Sequence, residues 1–189
     1  DPVFMALKLT APTSITADAA PMNKEIWYKK SKVSYVFPGN ELTAGKTINV
    51  TWYDGEGHFP SQEATGIPQN QLHGSGSLLI GEKGTLMIPH VAMPKLFPAD
   101  KFADFKLEPV PARDHYTSWV AACLGEDKTT SHFDYAGPLT ETVLLGTIAI
   151  RLPGQKLSWN ADKLELTGAP PAQGLLTKKY RSGWEPAWV

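Results

Sequence analysis

Two short stretches of the chain throw their side chains to alternate faces, residue by residue. Residues 32–37 (KVSYVF) run into Pro38-Gly39, and residues 47–53 (TINVTWY) set Ile48, Val50 and Trp52 against Thr47, Asn49 and Thr51. A period of two marks a strand with one face on a core and one toward water. Two further apolar runs, residues 77–80 and 85–88, flank Gly81-Glu82-Lys83-Gly84, which is a hairpin signal. Strands with no long helices between them do not build a doubly wound parallel sheet. The expected fold class is α+β: an open, mixed, mostly antiparallel β-sheet with helices packed on one face.

The helices announce themselves by their ends. Asp1-Pro2 followed by VFMALKL reads as an N-cap, a proline in the first turn and an apolar helix that stops before Pro12. A chain that opens on such a helix is expected to be a piece of a longer protein. Asp114 is a candidate N-cap for a helix over residues 114–124, with Gly125 just beyond it. Tyr116, Trp119, Val120 and Cys123 recur there at three and four residues, so Trp119 is expected to pack into the core. A second helix is expected over residues 138–152, where Gly146 permits close packing, and a last one over residues 171–180, weakened by Gly174. Residues 14–17, 156–159 and 163–167 read as short strands. Two long stretches, 54–76 and 89–113, read as irregular; the second is too apolar at Leu96, Phe97, Phe102, Phe105 and Leu107 for a solvated tether.

Composition narrows the functional classes. At 189 residues, with 42% hydrophobic and 20% charged residues, the chain is read as one globular domain. A net charge of −1 gives no electrostatic footprint for nucleic acid and no polybasic surface for a membrane. A single cysteine, Cys123, excludes an intrachain disulfide and a multi-cysteine zinc site. The loop Gly74-Ser75-Gly76-Ser77 precedes a strand instead of a helix, so it does not read as a dinucleotide fingerprint. His58, His73 and His90 lie on loops, without the helical spacing of a metal site. Trp52 and Tyr53 close a strand just before a long loop, a position from which aromatic side chains reach a cleft. Asp54 is either an acceptor for ligand hydroxyls or a turn residue.

A set of short motifs runs the length of the chain in order. They are Asp1-Pro2 leading to Leu7-Lys8-Leu9-Thr10-Ala11-Pro12, Thr51-Trp52-Tyr53-Asp54-Gly55, Gly81-Glu82-Lys83-Gly84, and His115-Tyr116 with Trp119. Phe133-Asp134-Tyr135-Ala136-Gly137-Pro138-Leu139-Thr140-Glu141, Leu144-Leu145-Gly146, Leu157-Ser158-Trp159-Asn160-Ala161 and Tyr180-Arg181-Ser182-Gly183-Trp184-Glu185 follow. Together they resemble the C-terminal domain of the Gfo/Idh/MocA family, which includes glucose–fructose oxidoreductase and inositol dehydrogenase.

The resemblance implies a parent enzyme that moves hydride between NAD or NADP and a sugar or polyol. The cofactor would be bound by an N-terminal Rossmann domain that this chain lacks, and no cofactor is expected for this chain alone. Asp1 looks like the family's Asp that follows a catalytic His by three residues, which puts that His outside this chain. The expected substrate walls are Trp52, Tyr53, Asp54 and His58, with His90 and Tyr135 beside them. Two other activities stay open: cofactor-dependent glycoside cleavage within the same family, and a stand-alone carbohydrate-binding module. A metal-dependent hydrolase built on the loop histidines is a further alternative. Finally, Leu78, Leu79, Ile80, Leu86, Met87 and Ile88 are apolar at consecutive positions, hence on both faces of their strands. That pattern predicts a homo-oligomer assembled through the sheet, unless residues 89–113 fold back over the second face.

Overall fold

In the computed structural model, which describes residues 1–20 and 25–187, the elements follow one another as α1 (Pro2–Ala6), β1 (Ser14–Ala19), β2 (Ser31–Pro38), β3 (Thr47–Asp54), α2 (Gln62–Thr65), β4 (Gly76–Gly81), β5 (Gly84–Pro89), β6 (Lys95–Phe97), α3 (His115–Cys123), α4 (Phe133–Arg151), β7 (Leu157–Asn160) and β8 (Glu165–Thr167). The protein is a mixed α+β molecule with antiparallel sheets. Its backbone divides into two compact units. One is built from Ala11–His58 and Thr142–Val189, the other from Asp1–Thr10 and Phe59–Glu141.

The first unit holds a five-stranded sheet in the order β3-β2-β1-β7-β8. The alternation read in residues 32–37 and 47–53 fixes its register: Val33 faces Trp52, Tyr35 faces Val50 and Phe37 faces Ile48. Val33, Tyr35 and Phe37 therefore share a face with Ile15 and Ala17 of β1, all buried. The second half of α4 covers that face with Thr142, Leu145, Gly146, Ile148 and Ala149, which recur at three and four residues. Gly146 is what lets the helix sit close: a Cβ there would lie 1.9 Å from the Tyr35 hydroxyl oxygen and 3.5 Å from Val33 Cγ1. The opposite face carries Thr16, Lys32, Ser34, Thr51 and Tyr53, the polar set that the same alternation demands.

The other unit holds a three-stranded sheet, β4-β5-β6. The hairpin closes on Glu82-Lys83, with Gly81 paired to Gly84. Met87 and Phe97 cluster with Ile67, and Leu72 and Leu78 pack against them. Thr85 ties the covering segment down: its hydroxyl donates to the Thr65 carbonyl at 2.6 Å, and the Thr65 hydroxyl accepts from Ile67 N at 3.2 Å. On the opposite face Leu79, Leu86 and Leu96 stand side by side across the three strands, half-buried.

Several expectations are corrected. The four strands expected in one sheet are shared between two, because alternation encodes a strand's faces and not its partner. β4 pairs with β5, and β5 pairs on its other edge with β6, a strand inside the stretch read as irregular. Helices are not gathered on a single face either, since α3 buries none of its residues. The first helix stops at Ala6, where Lys8 takes a left-handed turn (φ 48°) and Leu9 N donates to the Phe4 carbonyl at 3.0 Å. α4 begins five residues before the expected start and carries Pro138 inside it, at the cost of the bond that a backbone N–H there would give to the Asp134 carbonyl. Residues 171–180 form only a 3₁₀ turn, Gln173–Leu175. Among the described residues, no helix is long and apolar enough to cross a membrane.

Candidate functional site

The strand end at Tyr53-Asp54 does deliver side chains to a common place. β3 finishes at Asp54, and Gly55 turns the chain back with φ 110°, a conformation that L side chains avoid. A Cβ at Gly55 would also lie 2.4 Å from the Lys29 carbonyl oxygen, so glycine is needed for space as well as for angle. The turn is closed by His58 N, which donates to the Gly55 carbonyl at 3.1 Å. It brings the His58 ring edge-on to the Tyr53 ring, with centroids 5.3 Å apart. His58 Nδ1 lies 3.1 Å from the Asp54 carbonyl oxygen. A carbonyl only accepts, so Nδ1 is the donor in this contact. Lys32, opposite Tyr53 in the register, sets its ammonium 5.6 Å from the Tyr53 ring centre. Phenol, imidazole and ammonium thus meet at one edge of the polar sheet face. The group offers hydrogen-bonding partners to a ligand's hydroxyls.

Trp52 does not join them. Adjacent strand residues point to opposite faces, so Trp52 stands beside Val33 on the other side of the sheet and is 61% exposed. Asp54 contributes its backbone carbonyl to His58. His90 lies in the other unit, exposed, its N–H donating to the Ser75 carbonyl at 3.0 Å. Among the described residues no three His, Cys, Asp or Glu side chains are grouped to hold a metal.

Tyr135 takes part in a second arrangement, within the unit that contains both chain segments 1–10 and 59–141. Its hydroxyl donates to the Asp1 carboxylate. The Tyr135 ring meets Phe4 edge-to-face at 5.9 Å. Removal from water pushes the Tyr135 phenol above its usual range, which keeps it protonated and donating at neutral pH. Asp1 was expected to cap α1. Its side chain makes no cap bond to the helix and serves Tyr135 instead.

A third place lies on α3. Its N-cap is as expected: Asp114 accepts from Thr117 N at 2.7 Å and from the Thr117 hydroxyl, and these bonds hold its carboxyl below the ordinary range. Gly125 follows the helix with φ 78°. The face read as core is not core: Tyr116 is 78% and Trp119 63% exposed, and Cys123 is exposed as well. Helical spacing identified the stripe but not what covers it. His115, Tyr116, Ser118, Trp119 and residues 129–131 line a hollow of about 270 Å³.

Comparison with known proteins adds nothing to this geometry: the chain matches no family model and no curated protein.

Proposed function

We propose that this chain is the substrate-side and assembly domain of a nicotinamide-dependent oxidoreductase acting on a sugar or polyol, with the fold of the Gfo/Idh/MocA C-terminal domain. The observation that carries the reading is the hydrogen bond from Tyr135 to Asp1. The two residues belong to separate motifs of the resemblance, 134 positions apart, and they meet side chain to side chain. A phenol donating to one carboxylate oxygen fixes the carboxylate's orientation and leaves its other oxygen to accept from a substrate hydroxyl or a histidine. Tyr53, His58 and Lys32 supply a second group suited to hydroxyl recognition.

The glycine-rich loop at residues 74–77 does not fit the pyrophosphate of a nicotinamide cofactor. A dinucleotide site needs a glycine turn that opens a helix. Here residues 74–77 lead into strand β4, and a Cβ at Gly76 would lie 2.3 Å from the Ile88 carbonyl oxygen, so that glycine serves the hairpin. On this reading the NAD or NADP is held by a separate nucleotide domain of the parent protein.

The test uses the whole polypeptide that carries this domain, with NAD or NADP and a panel of sugars and polyols, read by the absorbance of reduced nicotinamide. Reduction with a sugar or polyol is the expected result. Tyr135→Phe should lower kcat/KM roughly tenfold, the size of one hydrogen bond to a charged group, with nucleotide affinity unchanged. A polypeptide that binds neither nucleotide overturns the proposal. Release of a glycosidic leaving group without net nicotinamide reduction moves it to the glycoside-cleaving branch.

A further inference from the structure

We infer that the hollow beside α3 is a binding site for a single pyranose ring, free or at the end of a glycan, which stacks on Trp119. The inference needs no nicotinamide chemistry and stands apart from the oxidoreductase reading.

The hollow joins two kinds of surface. Tyr116 and Trp119, three residues apart on one helix face, expose their rings. Ser118 and residues 129–131 (Thr-Thr-Ser) bring a run of hydroxyls, and His115 brings an imidazole. A sugar ring has the matching duality. Its axial C–H face is apolar and stacks on an aromatic plane, while its hydroxyls exchange hydrogen bonds with side-chain hydroxyls. The Ser118 hydroxyl already donates to the His115 carbonyl at 3.2 Å, which orients its lone pairs as acceptors. His115 sets its ring edge-on to Tyr116 at 5.5 Å and steadies that wall.

Trp119 differs from two other exposed tryptophans. Trp27 has the Arg151 guanidinium over its ring at 4.8 Å, and Trp184 has that of Arg181 at 4.7 Å. Among the described residues, no cation or ring covers Trp119, so its indole is free to receive a ligand. Size favours a small guest. Sites for drug-sized ligands span roughly 300–1,000 Å³, and about 270 Å³ suits one sugar ring with its substituents outside. The lining also speaks against other occupants. It has neither the glycine turn nor the lysine and arginine that a phosphate needs, and its hydroxyls would be left unpaired under an apolar helix.

The experiment titrates the 189-residue chain with methyl β-glucopyranoside and with cellobiose, read by saturation-transfer NMR and by the indole N–H resonance of Trp119. Binding in the millimolar range is expected, with saturation strongest at the axial C–H protons. Equal affinity for the two probes means one ring is held; tighter cellobiose means the glycan end is preferred, and both agree with the inference. Trp119→Ala should weaken binding at least about tenfold, Trp119→Phe should keep most of it, and Trp52→Ala should leave it unchanged. Trp119 is exposed, so these variants should keep the native circular dichroism spectrum. Absence of binding by either probe at tens of millimolar overturns the inference. So does binding that survives Trp119→Ala, or that is lost with Trp52→Ala.

Discussion

Replacing Gly146 by alanine sets two known effects against each other. In a helix interior the change favours folding by about 0.5–1 kcal/mol, because alanine has the higher helix propensity. Here the added Cβ would lie 1.9 Å from the Tyr35 hydroxyl oxygen and 2.9 Å from Cζ, so the ring or the helix must retreat by about 1 Å to reach even a tight contact. Tyr35 has little room to move: it is 8% exposed and sits beside Phe37, with ring centroids 6.2 Å apart. Overfilling a packed contact costs about 1–3 kcal/mol. We expect a net loss of about 1–2 kcal/mol, and a fall in Tm of about 2–4 °C for each kcal/mol. Urea unfolding followed by circular dichroism measures it. Tyr35→Phe deletes the atom that collides, so the double variant should recover about 1 kcal/mol relative to Gly146→Ala alone. A stabilised Gly146→Ala would refute the close helix–strand contact. A double variant no more stable than the single one would refute the hydroxyl as the point of collision.

Three further outcomes follow from the same structure. Burial pushes the Tyr35 phenol up to about 12 from 10, so its contribution is fully present below pH 10 and is lost as pH rises toward 12; unfolding free energy should drop by roughly 2–3 kcal/mol across that window, and Tyr35→Phe should flatten the drop. Gly55→Ala forces a left-handed turn on alanine and meets the Lys29 carbonyl, so it should destabilise by about 1–3 kcal/mol and shift the His58 ring resonances by breaking its contact with Tyr53. Asp114→Ala should speed amide exchange across α3 while leaving the global unfolding midpoint in place, since α3 buries no residue; in the unmodified protein the same fraying should appear only in acid, as pH falls through the lowered Asp114 pKa.

Local chemistry was legible in the sequence, and partnership was not. The alternation in residues 32–37 and 47–53 predicted two strands, and both are there with the expected faces. The hairpin at Glu82-Lys83, the Asp114 cap and the glycine after α3 were equally readable, because each is decided by two to four neighbouring residues. The division into two sheets depends instead on which edges meet across the chain, and no local pattern records that. Trp119 shows the same limit: its spacing predicts a helix face, and only coordinates show the face uncovered. Tyr53 and His58 were anticipated as neighbours from the loop after β3. Their separation from Trp52 follows from a period of two, which a reading of Trp52-Tyr53-Asp54 as one wall passed over. The bond between Asp1 and Tyr135 had no signal in spacing at all, and Lys32 would have been found by aligning the two strands. Ser61, which caps α2 by accepting from Ala64 N, and Gly66 beyond it were available as start and stop signals within the stretch read as irregular.

The central place of β1 has a bearing on how this molecule is made. One edge of β1 finds β2 once residues 31–38 are made, but the other waits for β7: Ser14 pairs with Ser158, Trp159 N donates to the Thr13 carbonyl, and Gly154 N donates to the Ala17 carbonyl. Residues 59–141, the greater part of the other compact unit, are translated in between. At ~5–20 residues per second a ribosome needs on the order of ten seconds for that interval. Throughout it the nascent three-strand meander offers a bare hydrogen-bonding edge flanked by Ile15 and Ala17, a template for any other extended chain nearby. The arrival of β7 is therefore also the step that seals this edge against neighbouring chains, and a premature stop anywhere before Leu157 leaves it open for good.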